Sequence, residues 1–167
     1  MNNTLLFNFT VHRSTNTITI SREFAAEQQL VWDAFTKKDL LDQWWAPAPW
    51  ISKTTQMNFE VDGKRIYAMC GPEGEEHWAV QKFTSISLID NFQFEDAFAD
   101  NNGNVNETLP SMHWNLDFSS NDISSKVEIL ITLKSLDHLE QIIQMGFKEG
   151  FTQTLGALDS LLNTLKK

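Results

Sequence analysis

The closing stretch of the chain limits its fold more than any other. Phe147, Phe151, Leu155, Leu158, Leu162 and Leu165 recur every three or four positions, which places them on one face of a helix. From Phe147 to Leu165 such a helix runs roughly 28 Å. An apolar stripe of that length needs an apolar surface of similar length to cover it, and a curled sheet is the element that provides one.

The preceding residues have the period of strands. "LFNFTVH" alternates Phe7, Phe9 and Val11 with polar neighbours, and "TITISREF" (Thr17 to Phe24) alternates again through Ile18 and Ile20. "RSTNT" between them has turn chemistry, so the two predict an antiparallel pair. From Lys53 to Leu133 strand follows strand. "TTQMNFEV" is expected to turn at Asp62-Gly63 into "KRIYAMC", and "GPEG" to turn into "HWAVQKFTSISLI". "NFQFEDAF" follows an Asp-Asn turn, and "DNNGNVNETLP" is a loop by composition. "MHWNLDF" sets Trp114, Leu116 and Phe118 on one face, and "SSKVEILITL" does the same with Val127, Ile129, Ile131 and Leu133. Each reads as a strand with one wet and one buried side.

Two short helices are expected between the first strand pair and the rest. Leu30, Val31, Ala34 and Phe35 share one helical face. Thr36 is expected to cap a second helix, with Asp39 as the capping-box partner. Leu40, Leu41, Trp44 and Trp45 continue that helix until "APAP", where proline ends the backbone ladder. A further short piece carries Leu139, Ile142 and Ile143 ahead of the last helix. Gly146, Gly150 and Gly156 interrupt the C-terminal pattern, each costing about 1 kcal/mol of helix propensity relative to Ala. Close backbone approach, room for another molecule and a local bend are all open readings of them.

With no linker, repeat or low-complexity tract, one domain over residues 1–167 is expected, residues 1–16 adding a strand to the sheet. The chain has 13 Lys+Arg against 22 Asp+Glu, a net charge of -9. Such a field repels phosphates, which argues against nucleic acid and anionic membrane surfaces as partners. Cys70 is the single cysteine, so no internal disulfide framework is available. "MNNTLLFNFTVHRST" lacks a basic leader and an apolar run of signal-peptide length, which makes the cytoplasm the expected location. His12, His77, His113 and His138 show no ligand spacing, and neither HExxH nor CxxC occurs; no metal and no cofactor is expected. GxSxG and phosphate-binding glycine fingerprints are likewise missing.

The order of strands, two short helices, an antiparallel meander and one long helix is that of the α+β helix-grip (START-like, Bet v 1-like) fold. At residue level, "REFAAEQQLVWDAFTKKDLLDQWWAP", "GKRIYAMCGPEG" and "MGFKEGFTQTLGALDSLL" resemble the homologues of the activator of heat-shock protein 90 ATPase, within the START-like (SRPBCC) superfamily. The resemblance runs from about Arg22 to the end. Glu27 and Lys38 stand where relatives often have prolines, Phe151 where a tryptophan is usual, and Gly156 where an Asp is common. The resemblance implies a sheet curled around the long helix with an apolar cavity between them. Superfamily members hold lipids, sterols, polyketides or other hydrophobic molecules there, and a few do chemistry with sparse polar residues. The eukaryotic relatives contact a chaperone through their surface.

The expected cavity wall is Trp44 or Trp45, Tyr67, Met69, Phe92, Phe94, Asp96, Trp114, Met145 and Phe151. Neighbouring Trp44 and Trp45 differ by about a hundred degrees on a helix, so one is expected in the packing and the other at the cavity mouth with Pro47 and Trp50. Tyr67 and Met69 share a strand face, with Cys70 on the other. Asp96 has the parity of Phe92 and Phe94, which makes it the acid to expect in an enclosed place; Glu95 points the opposite way. No catalytic residue is assigned. The leading expectation is non-enzymatic binding of a small hydrophobic molecule. A co-chaperone-type interaction module, with a chaperone as partner through an exposed patch near Trp50, comes second. An enzyme using Asp96, Tyr67 and His77 comes third.

Overall fold

A computed structural model describes residues 5–121 and 124–165. Eight strands form one antiparallel sheet: β1 (Phe7–His12), β2 (Thr17–Phe24), β3 (Ile51–Met57), β4 (Lys64–Cys70), β5 (Glu76–Ser87), β6 (Asn91–Phe98), β7 (Ser111–Ser120) and β8 (Ser125–Thr132). Their order is β1-β2-β8-β7-β6-β5-β4-β3. β1 therefore adds to the edge beside β2; residues 1–4 of the expected extension lie outside the described residues. α1 (Gln28–Thr36) and α2 (Lys38–Leu41) follow β2, and α3 (Leu136–Gln144) and α4 (Phe147–Leu165) close the chain. This is the helix-grip architecture, with the long α4 lying against the inner face of the sheet. No described helix is long and apolar enough to cross a membrane.

Alternation along each strand builds the inner face. Ile18 and Ile20 of β2, Ile129 and Ile131 of β8, and Trp114 and Leu116 of β7 pair across the sheet and are all buried. The outer face carries a smaller cluster of Ile66, Val80 and Ala97. It is covered where the β6–β7 loop passes: a Cβ on Gly103 would stand 2.8 Å from the Ile66 Cδ1.

Local details depart from the sequence expectations. β3 stops at Met57, and residues 58–63 form a wider loop in place of a tight Asp-Gly hairpin. Phe59 lies in that loop, and its ring packs edge-on against Phe83, Phe92 and Trp32. Thr36 belongs to α1 and donates to the Trp32 carbonyl; the residue before α2 is Lys37, which makes no side-chain cap. α2 is one turn long, so Trp44 and Trp45 lie in the turns after it rather than within a helix. Gly146 is not an interruption of α4 but the left-handed residue (φ 88°) between α3 and α4.

Candidate functional site

Between α3, the first half of α4 and the β4–β7 end of the sheet lies a partly open cavity of about 580 Å³. β4 supplies Tyr67 and Met69 to its wall, β5 supplies His77 and Ala79, β6 supplies Asp96 and Phe98, and β7 supplies Met112 and Trp114. The helical side is Ile142, Met145, Phe147, Gly150, Phe151 and Thr154, while Trp45, Pro47 and Trp50 close a third side. The rings support one another. Trp45 packs against Trp114 at 5.7 Å and against Phe151 at 5.8 Å, and Phe147 stacks on Phe151 at 5.5 Å. Trp50 lies over His77 at 5.3 Å. A Cβ on Gly150 would meet only Pro47, at 3.8 Å, so the glycine leaves this wall thin without being required by close contact.

Polar groups are sparse and converge on one end. The Tyr67 hydroxyl accepts a hydrogen bond from the Trp45 indole (3.2 Å) and donates one to Asp96 (3.3 Å). Under Tyr67 lies the Arg65 guanidinium, 4.0 Å from the ring centre and fully buried. Arg65 donates to Thr54 (3.1 Å), Ser52 (3.0 Å) and Gln81 (3.4 Å) and faces Asp42 at 3.7 Å. Asp42 is fixed in turn by the Thr54 amide and by the hydroxyls of Ser52 and Thr54. Register explains the grouping: Arg65, Gln81, Asp96 and Met112 form one row across β4, β5, β6 and β7.

Burial governs the electrostatics. The carboxyl of Asp96 is pushed up to about 7 because ionising it in an enclosed place is costly, an effect that Arg65 and the Tyr67 hydrogen bond only partly offset. Burial also raises the Tyr67 hydroxyl and lowers Arg65. The Trp114 indole N–H is buried without a protein acceptor. Among the described residues no three His, Cys, Asp or Glu side chains come together as a metal-binding group.

Residues 25–163 match the family model described as Activator of Hsp90 ATPase homolog 1-like protein. The chain belongs to that family. Its structure is similar to a protein from Arthrobacter aurescens (26% identity, TM-score 0.89, 94% of this chain and 91% of that one). It is also similar to protein Ms6760 from Mycobacterium smegmatis (26%, 0.87, 98% and 100%) and to a protein from Staphylococcus epidermidis (26%, 0.82, 95% and 96%). No curated protein matches by sequence.

In this Activator of Hsp90 ATPase homolog 1-like domain, Trp45, Tyr67, Met69, Asp96, Trp114, Met145 and Phe151 all border the cavity. Phe92 and Phe94 do not, which corrects the expected wall, and of the two tryptophans Trp44 is the one in the packing. Trp44 is buried edge-on against Phe35 at 4.8 Å and donates its indole N–H to the Ala34 carbonyl. Phe92 stacks on Phe118 at 5.9 Å beneath Trp32, and Phe94 stacks on Trp114 at 5.3 Å, behind the wall. The two phenylalanines have inward parity, but α1 closes the space over Phe92 through Trp32, and the Trp114 ring stands between Phe94 and the cavity. His77 reaches the rim, while His113 pairs with Glu95 on the outer face. Arg65, Asp42, Ser52, Thr54 and Gln81 were not anticipated. Arg65 carried a signal, since it shares parity with Tyr67 and Met69 on β4.

Proposed function

We propose that this domain holds a small hydrophobic molecule between its sheet and the first half of α4. The observation that carries this reading is the unfilled volume itself. About 580 Å³ bounded almost entirely by aromatic and aliphatic groups is within the usual size of small-molecule pockets. Interiors normally close-pack, and an empty apolar space forfeits contacts that its walls would otherwise make. A lipophilic guest restores those contacts and leaves water. The few polar groups then orient it: the Tyr67 hydroxyl, the Asp96 carboxyl and the unpartnered Trp114 N–H all belong to wall residues.

The docking alternative called for an exposed apolar patch at Trp50. That ring is half-buried over His77 and borders the cavity, so the interior reading uses it better. Uptake of the neutral dye N-phenyl-1-naphthylamine, followed by its fluorescence, tests the reading. Dye bound by the native chain should be displaced by lipophilic competitors and should be excluded by Gly150→Trp, which places an indole in the cavity while circular dichroism stays native. Dye excluded by the native chain, or retained equally by a folded Gly150→Trp protein, would overturn it.

A further inference from the structure

One guanidinium and two carboxylates meet at the polar end of the cavity, and their charges do not balance. Arg65 is taken by Asp42, by two hydroxyls and by Gln81. Asp96 stands in the next position of the same row and borders the cavity. Among the described residues its one side-chain hydrogen-bond partner is the Tyr67 hydroxyl at 3.3 Å, whereas an ionised carboxylate can accept about four such bonds. Among the described residues Asp96 forms no ion pair, although one joins Arg65 to Asp42. The carboxylate in the cavity wall has no cation within ion-pair distance among the described residues, and Arg65 offsets the cost of ionising it only in part.

We infer that the cavity selects a lipophilic amine, whose protonated nitrogen pairs with the Asp96 carboxylate while its apolar body lies along the rings. The inference rests on the carrier reading above and names the class of its guest. Three further observations agree with it. Trp45, Trp50, Tyr67 and Trp114 surround the space with the ring type that attracts cations. The net charge of -9 draws cations toward the molecule. A neutral alcohol would add nothing to the partial compensation that Arg65 gives an ionised Asp96, and a carboxylate would add a second negative charge beside it.

The groups facing Asp96 limit its titration. Arg65 and Tyr67 approach from β4, His77 stands at the rim on β5, and Glu95 is its chain neighbour turned to the other sheet face. α3 and α4 bring only Ile142, Met145, Phe147, Phe151 and Thr154 as wall side chains, none of them titratable. With its carboxyl raised to about 7 by burial, Asp96 must release its proton to accept an ammonium group. Amine affinity therefore falls as pH drops through about 7.

The test uses three probes with one hydrophobe: biphenyl-4-ylmethanamine, biphenyl-4-ylmethanol and biphenyl-4-carboxylate, titrated calorimetrically at about pH 8 and about pH 5.5. At the higher pH the amine should bind about tenfold or more tighter than the alcohol, the size expected of a charge-assisted pair. That margin should shrink at the lower pH and be lost in Asp96→Asn, which keeps an acceptor for Tyr67. Any other group acts alike on both proteins, so the contribution of Asp96 is the difference between their pH profiles. Equal affinity for amine and alcohol, tightest binding of the carboxylate, or an amine preference that survives in Asp96→Asn would overturn the inference and leave the carrier reading intact. Failure of all three probes together with exclusion of the dye would remove both.

Discussion

The two ends of the same helix meet the same sheet and reach opposite outcomes. In its second half, Leu155, Leu158 and Leu162 of α4 lie in a solid core with Ile18, Ile20, Leu116 and Ile129, all nearly inaccessible. α1 completes that core with Val31, Trp32 and Phe35, and Trp32 sets its edge against both Phe92 and Phe118. Beside its first half the cavity is walled on β4 and β5 by Tyr67, Met69, His77 and Ala79, with the Arg65–Gln81 pair next along the same face. Tyr67 is held by Trp45 and Asp96, Arg65 and Gln81 are held by each other, and Ala79 is small. The side chains on this side leave the space unfilled, and Gly150 adds none from above. A cavity in a folded domain thus needs no special element. It persists where the inward residues are either too short or already held by hydrogen bonds.

This contrast can be broken most strongly at the polar end. Arg65→Met leaves Asp42, Ser52, Thr54 and Gln81 without their shared donor and removes the cation that moderates Asp96. Taking the shared donor from several enclosed polar side chains at once should lower stability by about 3–5 kcal/mol in urea unfolding followed by tryptophan fluorescence. The two halves should then separate under opposite volume changes. Leu158→Ala opens a new void in the solid half and should lower stability by about 3 kcal/mol. Ala79→Leu adds volume where space already exists and should change stability by less than about 1.5 kcal/mol while weakening dye uptake. Equal losses in the two variants would show that the halves are packed alike.

The gentlest perturbation is pH. Asp96 has a folded value of about 7 against an ordinary 3.8, so the folded chain binds more protons than the unfolded one between those limits. The contribution of such a group is fully present below about pH 4 and is lost as pH rises through about 7. Its slope is at most about 1.4 kcal/mol per pH unit. Thermal melts across that window should show the native chain losing this component with rising pH and Asp96→Asn losing less. Parallel profiles for the two proteins would place Asp96 in water rather than in the wall.

Periodicity alone carried much of the design. Alternation in β2, β7 and β8 assigned the inner face, and the three-and-four spacing from Phe147 to Leu165 assigned the long helix that covers it. Asp96 was legible as an enclosed acid because a strand puts every second residue on one side. The same rule says nothing of position along the strand. Phe92 and Phe94 share a face with Asp96, yet α1 buries Phe92 in the solid half, Phe94 lies behind Trp114, and only Asp96 reaches the cavity. The separate fates of Trp44 and Trp45 were equally hidden, since they depend on a carbonyl of α1 and a hydroxyl of β4 that the chain brings near only on folding. The sequence by itself determined which side of each element is apolar, because backbone geometry repeats locally. Only the tertiary structure decided where those sides close and where they stay apart, because that depends on side chains from distant strands and helices filling, or failing to fill, one shared space.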